Sequence, residues 1–166
     1  MRKETSLKAV STVAGQDQFV KIVDYVRSKK PNWFLTEDEH LAIKEEAEKV
    51  EKEIDGYLPE KYVFFSLRYK AGHFAFLNIY SLSPNSEWYI LFKNGEYIAM
   101  PENFLAFSDD ETGGYYGFLK EAGHYSNDVY FYDSSLDEPP VSMNKDFFDF
   151  VVDKAFQPDH FELTLP

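Results

Sequence analysis

The chain has 166 residues, of which 44% are hydrophobic and 18% aromatic; this fits one domain with its own core and excludes a disordered chain. It contains no cysteine, which excludes disulfides, thiolate metal ligands and a cysteine nucleophile. Its formal net charge of −12 disfavours direct binding to nucleic acid or to anionic membranes, since both normally require clustered Lys and Arg.

The same features indicate a compartment and a kind of partner. The start of the chain lacks the apolar stretch of a signal peptide, and no later apolar run is long enough to span a membrane. Because the chain has no cysteine, a reducing compartment fits best, and we expect a cytoplasmic protein. The negative charge would speed encounter with a basic protein, or it would only keep an aromatic-rich chain in solution.

Three helices are predicted in the first half of the chain. Apolar residues at positions i, i+3, i+4 and i+7 predict the first over residues 17–29. A capping box at residues 36–39 begins the second, which is predicted to run for about five turns to Gly56. Pro59 begins the third, which carries aromatic residues along one face and ends at Gly72.

The second predicted helix is strongly acidic. Residues 37–55 contain nine Asp or Glu against three Lys. A partner could use this charge, although such a run is usually a solvated helix face.

Beyond the third helix the pattern changes to short runs of β-branched and aromatic residues separated by turn residues. Asn94 and Gly95 are predicted to form a two-residue hairpin turn between two of these runs. A last helix over residues 147–155, capped by Asn144, is predicted from apolar residues at helical spacing. The predicted strands cover residues 74–80, 87–92, 96–100, 104–107, 115–119 and 129–132.

This order of elements predicts an α+β domain. We expect an antiparallel sheet of about five to six strands with the helices packed on one face, three of them N-terminal and one C-terminal. No internal repeat, low-complexity tract or interdomain linker occurs in the sequence. Residues 1–166 are therefore predicted to form a single domain.

Several segments resemble motifs of the SUKH superfamily, which is named for a yeast cell-wall-synthesis regulator and includes many bacterial toxin-immunity proteins. Residues 58–72 are similar to the family's leucine-proline helix, with Tyr62 and Phe65 on its two aromatic positions. Residues 104–116 are similar to its apolar strand, acidic glycine-rich turn and aromatic strand, and residues 129–133 resemble its next strand. The sequence departs from the pattern at Lys70-Ala71, where Asn-Gly is usual, and at Ala106, which replaces a common proline.

The resemblance implies a layout and a class of function. It places the family core at residues 36–156, with an N-terminal extension of one helix at 1–35 and a tail at 157–166. It implies a non-enzymatic immunity protein without a cofactor, which neutralises a cognate bacterial toxin by occlusion; a basic toxin such as a nuclease domain would fit the charge. The alternative is a regulatory or scaffold domain that binds host proteins or self-associates, for example as a homodimer.

The acidic turn in the second of these segments is the centre of the predicted partner surface. Asp109, Asp110 and Glu111 precede two glycines, and carboxylates in a flexible loop could bind a hard cation. The spacing, however, lacks the alternate-position ligands of a calcium-binding loop. We predict instead that Asp109 and Asp110 accept hydrogen bonds from backbone N–H groups of the turn.

Tyrosines next to the turn complete the predicted surface. Side chains alternate along a strand, so about half of them point away from the helices. An outward tyrosine is either an ordinary strand residue or an anchor for a partner, since Tyr is enriched in protein interfaces. The predicted partner-binding residues are Asp109, Asp110, Glu111, Tyr115, Tyr116 and Tyr132.

Other residue patterns give little support for catalysis. None of the four histidines has the i, i+4 companion of a helical zinc site, and no Gly-x-Ser-x-Gly motif occurs. His73 and His124 could still converge in space, and with 29 acidic residues close carboxylate pairs arise by chance. We expect no enzyme, with a carboxylate-based hydrolase in a deep pocket as the alternative.

Overall fold

The computed structural model describes residues 12–35, 40–95 and 99–166 and contains five α-helices and seven strands within them. The α-helices are α1 (Gln16–Lys29), α2 (Lys44–Glu53), α3 (Glu60–Arg68), α4 (Ile90–Gly95) and α5 (Phe147–Val151). The strands are β1 (Gly72–Phe74), β2 (Leu77–Ile79), β3 (Phe104–Asp109), β4 (Gly114–Glu121), β5 (His124–Tyr125), β6 (Asp128–Asp133) and β7 (Val141–Asp146). A 3-10 helix, Pro31–Phe34, follows α1, and a π-helix, Val152–Phe156, continues α5.

The main sheet is antiparallel, with the strand order β3-β4-β6-β7 and with β5 paired to β4. Strands β1 and β2 form a separate two-stranded hairpin. The predicted α+β class with an antiparallel sheet is confirmed. Among the described residues, no helix combines the length and the apolar composition needed to cross a lipid bilayer.

A cluster of aromatic rings joins the helices to one face of the sheet. The Tyr62 ring of α3 lies 5.8 Å from Phe107, 5.7 Å from Phe118 and 5.4 Å from Phe147, centroid to centroid. Its hydroxyl donates a 2.7 Å hydrogen bond to the carbonyl of Tyr80, so the one polar atom of this buried ring is satisfied. The cluster thereby fixes α3, α5, β3 and β4 relative to one another.

Helix α1 packs on the same helical layer. The Phe19 ring stacks on Phe148 at 4.2 Å with an interplanar angle of 14°, and it meets Phe65 edge-on at 6.3 Å. The segment before α1 is held by Asp149: its carboxylate accepts hydrogen bonds from the N–H and hydroxyl of Thr12 and from the N–H of Val13, at 2.8–3.1 Å.

The predicted second helix is shorter in the structure. Helix α2 begins at Lys44 and has 10 residues, and the predicted capping residues Thr36 and Glu39 lie outside the described residues. Glu46 acts at the observed start, where its carboxylate accepts the N–H of Ile43 at 3.1 Å. Helix α2 ends at Glu53 and not at Gly56 as predicted, and the left-handed residue after it is Asp55, with φ 52°.

Two predicted strands in the middle of the chain differ from the structure. The predicted strand 74–80 is interrupted: Phe74 ends β1, and residues 77–79 form β2 after a turn that contains Ala75 at φ 53°. Residues 87–92 lead into helix α4, in which the predicted turn residue Asn94 is helical. The Asn94 amide accepts the N–H of Ala106 and donates to its carbonyl, both at 2.8 Å, so it pairs with the outer edge of β3. The predicted strand 96–100 lies partly outside the described residues.

The last helix is capped by Asp146 and not by Asn144. Asn144 belongs to strand β7 and has φ 56°, whereas Asp146 accepts the N–H of Asp149 at 3.0 Å and pairs with the Lys61 ammonium. The sequence of β7 was not predicted as a strand because VSMNKD lacks a regular alternation of apolar and polar residues.

We expect the Asp149→Ala substitution to lower the free energy of unfolding by about 1–3 kcal/mol. The substitution would leave the N–H groups of Thr12 and Val13 without their acceptor. Urea unfolding followed by circular dichroism measures the change. The control is Asp153→Ala, an exposed position one turn later, which should change stability by less than about 0.5 kcal/mol; equal losses in the two variants would contradict the anchoring role of Asp149.

Candidate protein-binding surface

The predicted acidic turn is held together by its own carboxylates. Asp110 Oδ1 accepts hydrogen bonds from the N–H and hydroxyl of Thr112, both at 2.9 Å, and from the N–H of Gly114 at 2.8 Å. Asp109 Oδ1 accepts the N–H of Glu111 at 3.0 Å. The predicted bonds from the two aspartates to the turn are therefore confirmed. Gly114 is required here, because a Cβ atom at this position would overlap the Asp110 carboxylate.

Two of the acidic residues also hold the β1–β2 hairpin against β3. The Tyr80 hydroxyl donates to Asp109 Oδ2 at 2.6 Å, and the Asn78 amide donates to Glu111 Oε2 at 2.7 Å. Glu111 itself has a left-handed backbone, with φ 63°. These bonds fix the positions of the carboxylates before any partner arrives.

The structure places three predicted residues in one row across the sheet. In the strand register, Asp109 of β3 lies opposite Tyr115 of β4, which lies opposite Tyr132 of β6. Two strand spacings of about 4.8 Å separate the ends of this row. Both tyrosines are half-buried and point away from the helices, since the next residue of β4, Tyr116, contacts α5.

Tyr116 lies on the other face of the sheet from this row. Its ring is 4.7 Å from Phe150 of α5 and 5.3 Å from Phe131. Burial, and to a smaller extent the charge of Asp110, raises its pKa. Tyr116 thus contributes to the packing between sheet and helices, and the six predicted residues are divided between two faces.

Two neighbours of the row were missed by sequence reasoning. Tyr130 lies opposite Gly117 and therefore on the same face as Tyr132, which the alternation along β6 could have indicated. Because Gly117 has no side chain, the Phe104 ring crosses above it and approaches the Tyr132 ring at 5.8 Å. Asp133, at the end of β6, accepts the N–H and hydroxyl of Ser135.

Four carboxylates lie beside the tyrosines, and their hydrogen-bond partners in the described part of the chain are uncharged groups. Within residues 12–35, 40–95 and 99–166, no ion pair involves any of them. Burial raises the pKa of Asp110, but the hydrogen bonds from Thr112 and Gly114 outweigh it and leave the pKa below its ordinary value. The bonds from Ser135 lower the pKa of Asp133. We call the group the turn-and-tyrosine surface; it comprises Asp109, Asp110, Glu111, Tyr115, Tyr130, Tyr132 and Asp133.

Residues 12–35, 40–95 and 99–166 contain no group of three or more His, Cys, Asp or Glu that could hold a metal ion. His73 meets the Trp88 ring at 5.1 Å, and His124 lies beside Tyr57 at 5.2 Å. The two histidines are thus positioned by different aromatic neighbours.

We expect Asp110→Asn to be less stable than the original chain at pH 7 and to approach it in stability as the pH falls. The folded pKa of Asp110 lies below the unfolded value of about 4, so its charged form stabilises the fold above that value. This contribution is lost as the pH falls through the folded pKa. Asparagine retains the side-chain oxygen that accepts the turn's hydrogen bonds, so the variant isolates the charge.

Urea unfolding of both proteins between pH 7 and about pH 2 measures this difference. Asp137→Asn, on the exposed loop after β6, controls for the loss of one negative charge. A difference between Asp110→Asn and the original chain that grows on acidification would contradict the assignment.

The family model SUKH_6, described as SMI1-KNR4 cell-wall, matches residues 44–151. These residues include every element from α2 to α5 and the whole turn-and-tyrosine surface. No curated protein and no solved structure matches the chain. Since the family model covers well over half of the sequence, the chain belongs to the SUKH superfamily, in its SMI1-KNR4 family.

Proposed function

We propose that this protein is a non-enzymatic, cytoplasmic binding domain that neutralises a cognate bacterial toxin by covering a basic surface of it. The family to which it belongs consists generally of non-enzymatic binding domains, with immunity proteins among them. The observation that carries the proposal is the turn-and-tyrosine surface, where half-buried tyrosines lie beside carboxylates that form no ion pair within the residues that the structure describes.

The tyrosines supply the contact area. Tyr115 and Tyr132 are neighbours across β4 and β6, and the Phe104 ring supports Tyr132 from the side. A tyrosine held in this way loses little conformational entropy on binding and presents both an apolar ring and a hydroxyl. These rings would form the dry centre of an interface of standard size, about 800 Å² on each partner.

The carboxylates steer a basic partner toward the surface and raise its association rate. Asp109 and Asp110 are fixed by turn and hairpin hydrogen bonds, so little reorganisation is needed when a partner's Lys or Arg approaches. A negative patch on a chain of net charge −12 attracts a basic protein over several ångströms and raises its association rate. Occlusion of a basic catalytic surface, as found on a nuclease, would then prevent its substrate from binding.

A second candidate is a regulatory domain that binds host proteins. The family description names SMI1-KNR4 cell-wall proteins, and this favours a regulator as the alternative. The two functions differ in the partner: a toxin encoded beside the gene in the first case, and cellular proteins or a second copy in the second.

The direct test captures the protein's partner from lysate of its host and then separates the two. The captured partner should be a toxin whose activity the protein inhibits at one-to-one stoichiometry. Lack of inhibition, together with recovery of only cellular regulators in affinity capture, would overturn toxin neutralisation and favour the second candidate.

Neutralising the acidic residues should slow association. We expect Asp110→Asn with Asp133→Asn to reduce the association rate constant by about tenfold at low salt and to have a much smaller effect at high salt. Stopped-flow fluorescence measures the rate. Glu45→Gln with Glu53→Gln, on exposed positions of α2, removes the same charge elsewhere; an equal slowing by both pairs would contradict a local role of the turn.

Removing the rings should speed dissociation. Tyr132→Ala and Tyr115→Ala should each weaken binding by about 2 kcal/mol or more, mainly through the dissociation rate constant. Surface plasmon resonance measures both constants. Tyr116→Phe is the control, because this ring packs on Phe150 on the opposite face and should leave the affinity unchanged.

A further inference from the structure

A groove separates helices α2 and α3 on the helical side of the molecule. The helices run antiparallel, because the N–H of Ala42 bonds to the carbonyl of Ser66 at one end and the N–H of Leu58 bonds to Glu51 Oε2 at the other. The groove between them opens into a cavity of about 990 Å³, which Gln16 of α1 and His124, Tyr125 and Asn127 also line.

Both walls of the groove are helical stripes. The residues that line it occur at positions i, i+3, i+4 and i+7 of each helix, so each helix presents one continuous face. The α2 wall consists of Lys44, Ala47, Glu48 and Glu51. The α3 wall consists of Glu60, Val63, Phe64 and Leu67.

The α3 wall of the groove is apolar beyond Glu60. Val63, Phe64 and Leu67 are only partly covered by the rest of the protein, although such residues normally complete a core. At the end where α2 leads into α3, Tyr57 is 62% exposed and lies against His124. An apolar strip open to solvent between two helices is typical of a surface that binds another protein.

The charge of the groove is concentrated at that same end. Glu48 lies in the middle of α2, Glu51 lies in its last turn, and Glu60 begins α3. The cation of the lining, Lys44, lies at the opposite end, at the start of α2. The negative charge of the groove therefore lies toward the end where α2 leads into α3.

We propose that this α2–α3 groove binds an amphipathic helix of a partner protein, with an apolar face toward α3 and basic residues at the end near Glu48 and Glu60. The two helices lie side by side. A third helix can pack between them because its ridges of side chains fit into the spaces between theirs. The three glutamates select for a basic segment. The groove is separate from the turn-and-tyrosine surface, so the inference does not depend on the proposed function.

The test measures binding of a synthetic peptide to the full chain. The peptide is labelled with fluorescein and consists of Leu and Lys, with Leu at i, i+3, i+4 and i+7. Fluorescence anisotropy at physiological salt measures the affinity. Replacing Glu48 and Glu60 by Lys should weaken binding by about tenfold. The matched control replaces Glu45 and Glu53, exposed residues outside the groove lining, and should change the affinity far less. Equal effects of the two pairs would show general attraction to an acidic protein and would overturn the proposal.

The apolar part of the groove is tested without a change in charge. Val63→Asn should weaken peptide binding by about tenfold, whereas Val141→Asn, at a 63% exposed residue of β7, should leave it unchanged. Circular dichroism confirms that each variant is folded. An unchanged affinity in Val63→Asn would overturn the proposal.

The same variants and the same labelled peptide distinguish two alternative occupants of the groove. If sedimentation shows a dimer that the Glu48 and Glu60 substitutions dissociate, the groove binds a second copy of the chain. If an unlabelled peptide of residues 1–11 displaces the probe at equal concentration, the occupant is the chain's own N-terminal segment. Either result would replace the partner helix proposed here.

Discussion

The structure depends on an aromatic core that fills one face of the sheet. Tyr62, Phe107, Phe118 and Phe147 come from α3, β3, β4 and α5, and their rings lie within 4.7–6.4 Å of one another. Because the side chains of a strand alternate, filling this face with rings determines which residues point the other way. The outward position of Tyr115 and Tyr132 is thus a consequence of where Phe118 and Tyr116 are buried.

The carboxylates of the turn have two functions in this arrangement. Asp110 closes the turn and Asp109 receives the Tyr80 hydroxyl, so their charges are held in place by bonds that the fold itself needs. Hydrogen-bond donors without positive charge stabilise these anions without neutralising them. The fold therefore uses the oxygens of these carboxylates as acceptors, and their negative charge remains available to a basic partner.

The sequence was sufficient for features that depend on local periodicity or turn chemistry. Helices α1 and α3, strands β3, β4 and β6 and the bonds of Asp109 and Asp110 followed from residue spacing. It was insufficient where a distant partner decides the conformation. Asn94 is helical because its amide pairs with the backbone of Ala106, and Asn144 is in a strand because β7 pairs with β6. Tyr116 was grouped with Tyr115 because composition alone does not assign a face, whereas strand register does. The groove between α2 and α3 depends on how two separate helices lie together.

The pairing of Asn94 with Ala106 also limits how the protein can associate. The outer edge of β3 would otherwise present free N–H and C=O groups, but Asn94 covers both groups of Ala106, and the N–H of Tyr80 bonds to the carbonyl of Phe107. An extended chain cannot add to this edge as a further strand without displacing them. The same contacts that shape α4 and the hairpin therefore protect the β3 edge of this aromatic-rich sheet from edge-to-edge aggregation.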